Sequence, residues 1–216
     1  KAATKDWKQT KLRCKPKELA PAISEDTIDY HYGTLYKGYV DKSNKGIGGE
    51  FQNARAFLHD IFFDQLKAYS KENNPSGLIS DLIKVEFSSF NGMKKALKEE
   101  AMKIQGSGWI YLATDGKIKT IKNHEVRNDI LLLIDWWEHA WILDYGADKK
   151  KYLKEQWKII IEEQQYHSVG FTMFTYNEYK TTHLGSDGDG IAGFGVVPYN
   201  YSPEYLEAME PFAAIL

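Results

Sequence analysis

Asp135 and His139 are the residues whose types and spacing most clearly suggest chemistry. They stand four residues apart, with Trp136, Trp137 and Glu138 between them, and a short apolar segment precedes Asp135. A carboxylate and an imidazole held against large aromatic side chains suit a pair of metal ligands, because an aromatic wall keeps the site dry. The spacing alone equally fits a buried hydrogen bond between the two side chains.

The other histidines are less informative one by one. The chain contains six, at His31, His59, His124, His139, His167 and His183. A single histidine is more often a surface or hydrogen-bonded core residue than a ligand. His31 differs because it lies at helical spacing from Ile28 and Leu35, on the apolar face of a predicted helix. We therefore expect the His31 side chain to point into the protein.

The first third of the chain is predicted to form a helical hairpin. A helix over 24–41 begins at Ser24, whose side chain can cap it. The segment 41–50 contains three glycines and predicts a turn. A second amphipathic helix follows over 51–69 and ends before a cluster of helix-breaking residues.

Strands replace helices later in the chain. Residues 78–104 predict two helices broken near Ser88, whereas 106–113 and 117–121 predict a β-hairpin across a Thr-Asp-Gly turn. A third strand is predicted over 130–135 and a last helix over 149–165. Helices first and a small antiparallel sheet afterwards indicate an α+β fold.

We divide the chain into four parts. They are a basic N-terminal extension (1–18), a helical hairpin domain (19–75), an α/β domain (76–169) and an irregular extension rich in tyrosine, glycine and proline (170–216). The extension has no sustained period, and its Gly188–Gly193 string matches a dinucleotide-binding pattern without the strand and helix that this pattern requires. We interpret it as a loop-rich contact surface for another protein, with a disordered extension as the alternative.

Composition excludes several classes of protein. A net charge of −2 argues against a basic nucleic-acid binder, and Cys14, the single cysteine, rules out an internal disulfide or a cysteine-based zinc cluster. No apolar run approaches the length of a membrane span. The first 17 residues carry seven basic side chains and one acidic one. Because transit peptides leave or resemble such beginnings, we expect a location in an organelle.

Several strings resemble the iron/manganese superoxide dismutases. The resemblance runs from about Leu19 to Trp157, and its most specific strings are Gly106-Ser107-Gly108-Trp109 and Asp135-Trp136-Trp137-Glu138-His139-Ala140. The remaining strings are Leu19-Ala20-Pro21, Tyr30-His31-Tyr32-Gly33, Tyr39-Val40 and Phe51-Gln52-Asn53-Ala54. The resemblance implies a helical hairpin followed by an α/β domain with a small antiparallel sheet, and a metal ion between them.

The resemblance also implies a set of metal ligands. The family holds Fe or Mn with three histidines and one aspartate, and His31, Asp135 and His139 match three of these places. The fourth, in the second helix, is a histidine seven residues after the Asn of an Asn-Ala pair; counted from Asn53, that place falls on Asp60. His59 lies one residue earlier, about 100° around a helix, and is the out-of-register alternative. An aspartate ligand there would favour the oxidised ion, so the predicted site is degenerate and either empty or filled with Fe or Mn.

Other positions of the family pattern are changed as well. The glutamine that the family places near the metal-bound solvent falls on Ala56, and a polar pair across the family's dimer interface falls on Leu35 and Ile142. The gateway tyrosine is kept as Tyr39, and the bridging glutamate of the interface as Glu138. Groups around the metal ligands orient those ligands and tune the bound solvent. The loss of several such groups together argues against superoxide turnover.

These departures favour a protein that has kept the fold and lost the activity. By this resemblance we expect a non-catalytic structural subunit of a mitochondrial assembly on the matrix side, either a ribosome or a respiratory complex, contacted partly through 170–216. The alternative is an active iron/manganese superoxide dismutase with an altered second-helix ligand. A homodimer, or a heterodimer with another dismutase-like chain, is compatible with both, and contact with RNA is expected only in a ribosome.

Overall fold

The computed structural model describes residues 7–160. Helices fill the first two thirds of this range, and a three-stranded sheet with short helices follows. The α-helices are α1 (Glu25–Ile28), α2 (Lys37–Asn44), α3 (Gly49–Asp64), α4 (Gly77–Phe87), α5 (Phe90–Ala101), α6 (Ile142–Tyr145) and α7 (Lys149–Gln156). The strands are β1 (Gly108–Ala113), β2 (Ile118–Lys122) and β3 (Ile130–Asp135). Short 3-10 turns lie at Pro16–Leu19 and Glu138–Ala140, and a π-helical segment at Asp29–Tyr36 joins α1 to α2.

The first long helix contains an unexpected π-helical segment. Ser24 caps the helix as predicted, since its Oγ accepts a hydrogen bond from the Thr27 amide at 3.1 Å. Between Asp29 and Tyr36, however, the helix follows the wider π-helical pattern. Both His31 and Tyr36 are buried, yet residues five apart on a regular α-helix point about 140° away from each other. The wider turn lets both side chains face the protein interior.

The predicted hairpin of helices is present. α2 ends at Asn44 and α3 begins at Gly49, and the two helices pack against each other. The connection needs Gly48, whose φ of 85° lies in the left-handed region. Residues on the inward face of α3 are buried in the core; they include Ala54, Phe57, Leu58, Ile61 and Phe62.

The sheet also follows the predicted pattern. β1 is central and antiparallel to both neighbours, in the order β2-β1-β3. Trp109 on β1 lies opposite Ile121 on one side and Asp135 on the other. All six residues of β1 are buried, because helices cover the sheet. The α+β prediction is confirmed.

Gln65 connects the helical hairpin to the sheet. Its side chain donates to the carbonyl of Leu133, and its Oε1 accepts from the Leu133 amide at 3.0 Å. Leu133 lies on β3, an edge strand of the sheet as described, and the outer backbone groups of β3 have no strand partner within 7–160. The buried amide thus takes the place of a neighbouring strand and fixes the end of α3 against β3.

Two sequence predictions extend beyond the described residues. The last helix, predicted over 149–165, is described as α7 and ends at Gln156. The extension 170–216 lies outside the described residues altogether. Within 7–160, none of the helices combines the length and apolar character required to cross a bilayer.

Candidate metal centre

Four buried or nearly buried side chains from both halves of the chain meet at one point. His31 comes from the π-helical segment, His59 from α3, Asp135 from the end of β3 and His139 from the 3-10 turn that follows. Each offers one ligand atom, and these atoms all lie within 4.8 Å of one another. The pair Asp135 and His139, singled out by spacing, therefore joins two further histidines.

The distances centre on one carboxylate oxygen. Asp135 Oδ2 lies 3.2 Å from the Nε2 atoms of both His31 and His139. It lies 3.7 Å from His59 Nε2, which is itself 3.4 Å from His139 Nε2. Three imidazole nitrogens and one carboxylate oxygen thus surround a space of the size that a single ion requires when its ligands bind at about 2.1 Å.

Backbone contacts orient the ligands. His59 Nδ1 lies 2.7 Å from the carbonyl oxygen of Arg55. Because a carbonyl only accepts, Nδ1 carries the ring proton, and Nε2 turns its lone pair toward the other ligands. Asp135 Oδ1 accepts from the Trp137 amide at 2.8 Å, which leaves Oδ2 for the cluster. Tyr152 donates to the Asp135 carbonyl at 2.9 Å and holds the end of β3.

The protonation states suit a cation. Burial lowers the pKa of His31 to about 4, against the opposing influence of the Asp135 carboxylate. Burial, and then proximity to His31, hold the pKa of His59 well below its usual value. Burial alone would raise the pKa of Asp135, but the charge of His139 and its hydrogen bond, followed by contact with His31, keep it well below its usual range. At neutral pH, His31 and His59 are neutral donors beside a charged carboxylate.

These residues fit a metal ion. The Nε2 atom of His31 is buried and has no hydrogen-bond partner among the described residues. Burying a neutral imidazole whose nitrogen has no partner costs free energy. A cation shared with the carboxylate and the two other imidazoles would remove this cost. Three nitrogens and one oxygen suit Fe or Mn, among other divalent ions.

Aromatic rings enclose the cluster. The His31 ring packs against both Phe62 and Phe63, with ring centroids 5.5 and 4.8 Å away. Trp109 meets the His59 ring edge-on at 4.9 Å, and Trp137 stacks on His139 at 5.8 Å. The ligands are therefore shielded from water on several sides, which strengthens their electrostatic interaction with an ion.

Asp60, which was predicted as the fourth ligand, is not among the four residues of the cluster. The Asp60 carboxylate instead accepts a hydrogen bond from the Tyr36 hydroxyl at 2.6 Å. His59, the out-of-register alternative, occupies the place instead. α3 is a regular helix, so no slip within it is involved. The error lay in the starting point of the count, because seven residues before His59 is Gln52 rather than Asn53.

The same one-residue shift changes another assignment. The family's glutamine position moves from Ala56 to Arg55. Ala56 is fully buried in the core. Arg55 reaches over the ring of Tyr39, with its Cζ 4.5 Å from the ring centroid. A cationic side chain thus stands where this shifted count puts the glutamine position of the family.

The remaining predicted residues lie around the cluster or on the surface. Tyr39 is buried, and its ring is 4.9 Å from that of His59, next to the cluster. Burial raises the pKa of its hydroxyl, so Tyr39 keeps its proton at neutral pH. Glu138 is exposed, as is Ile142 at 43%, and Leu35 is partly buried against the core.

Sequence reasoning missed His124. Its Nδ1 accepts a hydrogen bond from the Trp109 indole at 3.2 Å, and its ring stacks on Trp137 at 4.4 Å. Because indole only donates, the His124 proton must sit on Nε2, which is buried and unpartnered among the described residues. Burial lowers the pKa of His124 to about 3, so the ring is neutral. His124 follows β2 in a loop without periodicity, so no pattern indicated its position.

The chain is similar to one known protein family and to proteins of several bacteria. A family model described as "Iron/manganese superoxide dismutases, C-terminal domain" matches residues 75–168. The superoxide dismutase [Mn/Fe] of Porphyromonas gingivalis is 33% identical, over 66% of this chain and 88% of that protein. The superoxide dismutase [Fe] of Bacteroides fragilis is 31% identical, over 71% and 94% respectively, and that of Escherichia coli K12 is 30% identical, over 66% and 87%. On this coverage and identity, the chain belongs to the iron/manganese superoxide dismutase family.

Proposed function

We propose that the chain is an iron- or manganese-dependent superoxide dismutase. The observation that carries this proposal is the cluster of His31, His59, Asp135 and His139, whose ligand atoms lie within 4.8 Å of one another. The similar proteins from three bacteria bear the name superoxide dismutase, which supports the same reaction here. Because His59 rather than Asp60 lies in the cluster, Asp135 is its single carboxylate and no second carboxylate favours the oxidised ion there.

In this proposal, the chain holds and shields an ion that exchanges electrons. A bound Fe or Mn ion would supply the chemistry, by alternately accepting one electron from superoxide and giving one to it. Asp135 contributes a single negative charge, while His31 and His59 add none, so the cluster leaves a positive centre for an anionic substrate. The surrounding aromatic rings exclude bulk water.

Two residues next to the cluster can donate the protons that superoxide reduction consumes. Tyr39 keeps its hydroxyl proton because burial raises its pKa, and His124 carries a proton on the unpartnered Nε2. Both rings lie close to His59, with centroids 4.9 and 6.1 Å away. We propose that these two donors form hydrogen bonds to the solvent or substrate at the ion.

Metal content and turnover measured on the same sample test the proposal. The full chain, loaded separately with Fe and with Mn, should hold about one ion per chain and consume superoxide. His59→Ala should lose both properties, because it removes a ligand, whereas Asp60→Asn should keep both. A metal-filled protein without turnover, or equal metal loss in both variants, would contradict the proposal.

The second candidate is a non-catalytic structural subunit of a mitochondrial assembly. It is favoured by the aliphatic residues Leu35 and Ile142, where the family has a polar pair at its dimer interface. Ile142 and the neighbouring Leu143 are 43% and 58% exposed, and they adjoin the 3-10 turn that carries Glu138. This surface is a candidate contact with a second dismutase-like chain or another protein. Absence of metal together with stable incorporation into a large mitochondrial complex would favour this role over the enzyme.

A further inference from the structure

Arg55 has an unusual environment for a charged residue. The chain contains three arginines. Arg13 pairs with Asp64 at 3.0 Å and Arg127 with Glu125 at 2.8 Å. In contrast, the guanidinium of Arg55 forms no ion pair or side-chain hydrogen bond with any residue of 7–160, and its Nε is buried without a partner. No acidic side chain of the described residues therefore pairs with its positive charge.

Three aromatic rings surround the Arg55 guanidinium. Its Cζ lies 4.5 Å from the ring centroid of Tyr39, 5.3 Å from that of Phe51 and 6.0 Å from that of Trp137. Rings stabilise a cation through their electron-rich faces, but they accept few hydrogen bonds. Part of the guanidinium is desolvated, while Arg55 as a whole stays partly exposed. Its accessible N–H groups are left as strong donors for an anion.

The same rings connect Arg55 to the metal centre. Tyr39 meets the ring of His59 at 4.9 Å, and Trp137 stacks on that of His139 at 5.8 Å. Arg55 is thus one aromatic ring away from two ligands. Phe51, on the outer side, is 48% exposed. The guanidinium thus contacts an exposed ring on one side and, on the other, two rings that touch the ligands.

We infer that Arg55, with Tyr39, Phe51 and Trp137 around it, forms a binding site for small monovalent anions at the entrance to the metal centre. We call it the Arg55 site. It rests on the proposed function only for its natural ligand, which would be superoxide. Arg55 acts as a positioning residue there: it concentrates the anion beside the ligands and takes no part in electron transfer. Its backbone carbonyl, which orients His59, is a separate contribution that side-chain substitution leaves in place.

Azide binding to the metal-free full chain tests the Arg55 site directly. Azide is a small monovalent anion, and nuclear magnetic resonance can follow the Nε–H signals of all three arginines. The Arg55 signal should shift and saturate below about 0.1 M azide, whereas those of Arg13 and Arg127 should not. No saturable shift at Arg55, or equal shifts at all three, would overturn the inference.

Matched variants separate a specific site from net charge. Arg55→Met removes the charge but keeps an apolar stem, and Lys98→Met removes one charge from the exposed face of α5. In iron-loaded protein, azide binding followed by absorbance should weaken on the order of tenfold in Arg55→Met and by less than about twofold in Lys98→Met. Equal weakening in both would refute the Arg55 site.

A third variant keeps the inference testable if Arg55→Met does not fold. Arg55→Lys retains the charge without the planar fork, so it should bind azide with intermediate affinity if the donors matter. If Arg55→Met does not fold, Arg55→Lys decides alone. An unchanged azide affinity in that variant would overturn the inference that the planar guanidinium donors of Arg55 bind the anion. Turnover is not needed for these measurements. Azide binding at Arg55 without superoxide consumption would contradict the proposed function but would still support the Arg55 site.

Discussion

Asp60→Asn is the substitution that most sharply separates two interpretations of α3. If Asp60 were a ligand, an amide in its place would weaken metal binding strongly. The structure instead places Asp60 beside the Tyr36 hydroxyl, 2.6 Å away, and outside the cluster. Asparagine has the same shape and can still accept that hydrogen bond. We therefore expect Asp60→Asn to keep its metal and to stabilise the fold at neutral pH.

The expected gain follows from the pKa of Asp60. Burial, partly offset by the hydrogen bond from Tyr36, raises this pKa from 3.8 to about 6. A carboxyl group with a raised pKa favours folding while protonated, and that contribution is lost as the pH rises through about 6. About two pKa units correspond to about 3 kcal/mol of unfolding free energy, which is an upper limit at pH 7. Asparagine carries no charge and avoids this penalty.

Urea unfolding of the metal-free protein measures the effect without an ion's charge. At about pH 7.5 the variant should unfold with a free energy about 1–3 kcal/mol higher than the unmodified chain. The difference should fall to roughly half near pH 5 and nearly vanish below about pH 4. Metal content after loading should stay at about one ion per chain. A destabilised variant at pH 7.5, or one that loses its metal, would refute the reasoning.

Three further predictions concern the centre and its support. His59→Ala should reduce bound Fe or Mn to less than about a tenth of an equivalent by mass spectrometry, because no other described donor can take its place; retention of the ion would place the ligand elsewhere. Metal should stay bound at about pH 5.5 and dissociate as the pH falls toward about 4, where the buried His31 gains a proton; release already near pH 6.5 would show that burial does not lower this pKa. Gln65→Leu should lower the unfolding free energy by about 2–4 kcal/mol in urea, because two buried backbone groups of Leu133 lose their partners; an unchanged unfolding free energy in Gln65→Leu would show that the contact contributes little.

Much of the fold could be predicted from the sequence because its signals are local. Ser24 caps a helix through its own hydroxyl, and Ser88 separates α4 from α5 with a left-handed φ of 62°. Strict alternation is absent from β1 because all six residues are buried, yet its aromatic and β-branched residues still indicated a strand. The π-helical segment was not foreseen, since it depends on contacts that His31 and Tyr36 make with distant residues.

Part of the metal centre could also be predicted from local sequence signals. Asp135 and His139 lie within one short string, so their pairing is visible in sequence. The choice between His59 and Asp60 depends on which face of α3 meets β3, and adjacent residues on an apolar helix leave that open. The positions of His124 and Arg55 follow from side-chain packing across the molecule, for which the chain has no periodic signal.

The hydrogen bonds of Gln65 also bear on how the chain avoids joining others while it folds. They occupy the outer backbone groups of Leu133 on one edge of the sheet, whereas the other edge, β2, carries Lys119 and Lys122. An occupied edge and a charged edge both discourage intermolecular strand pairing. The first of these protections exists only after α3 has docked on β3. The interval before docking is therefore when the nascent sheet is most open to aggregation.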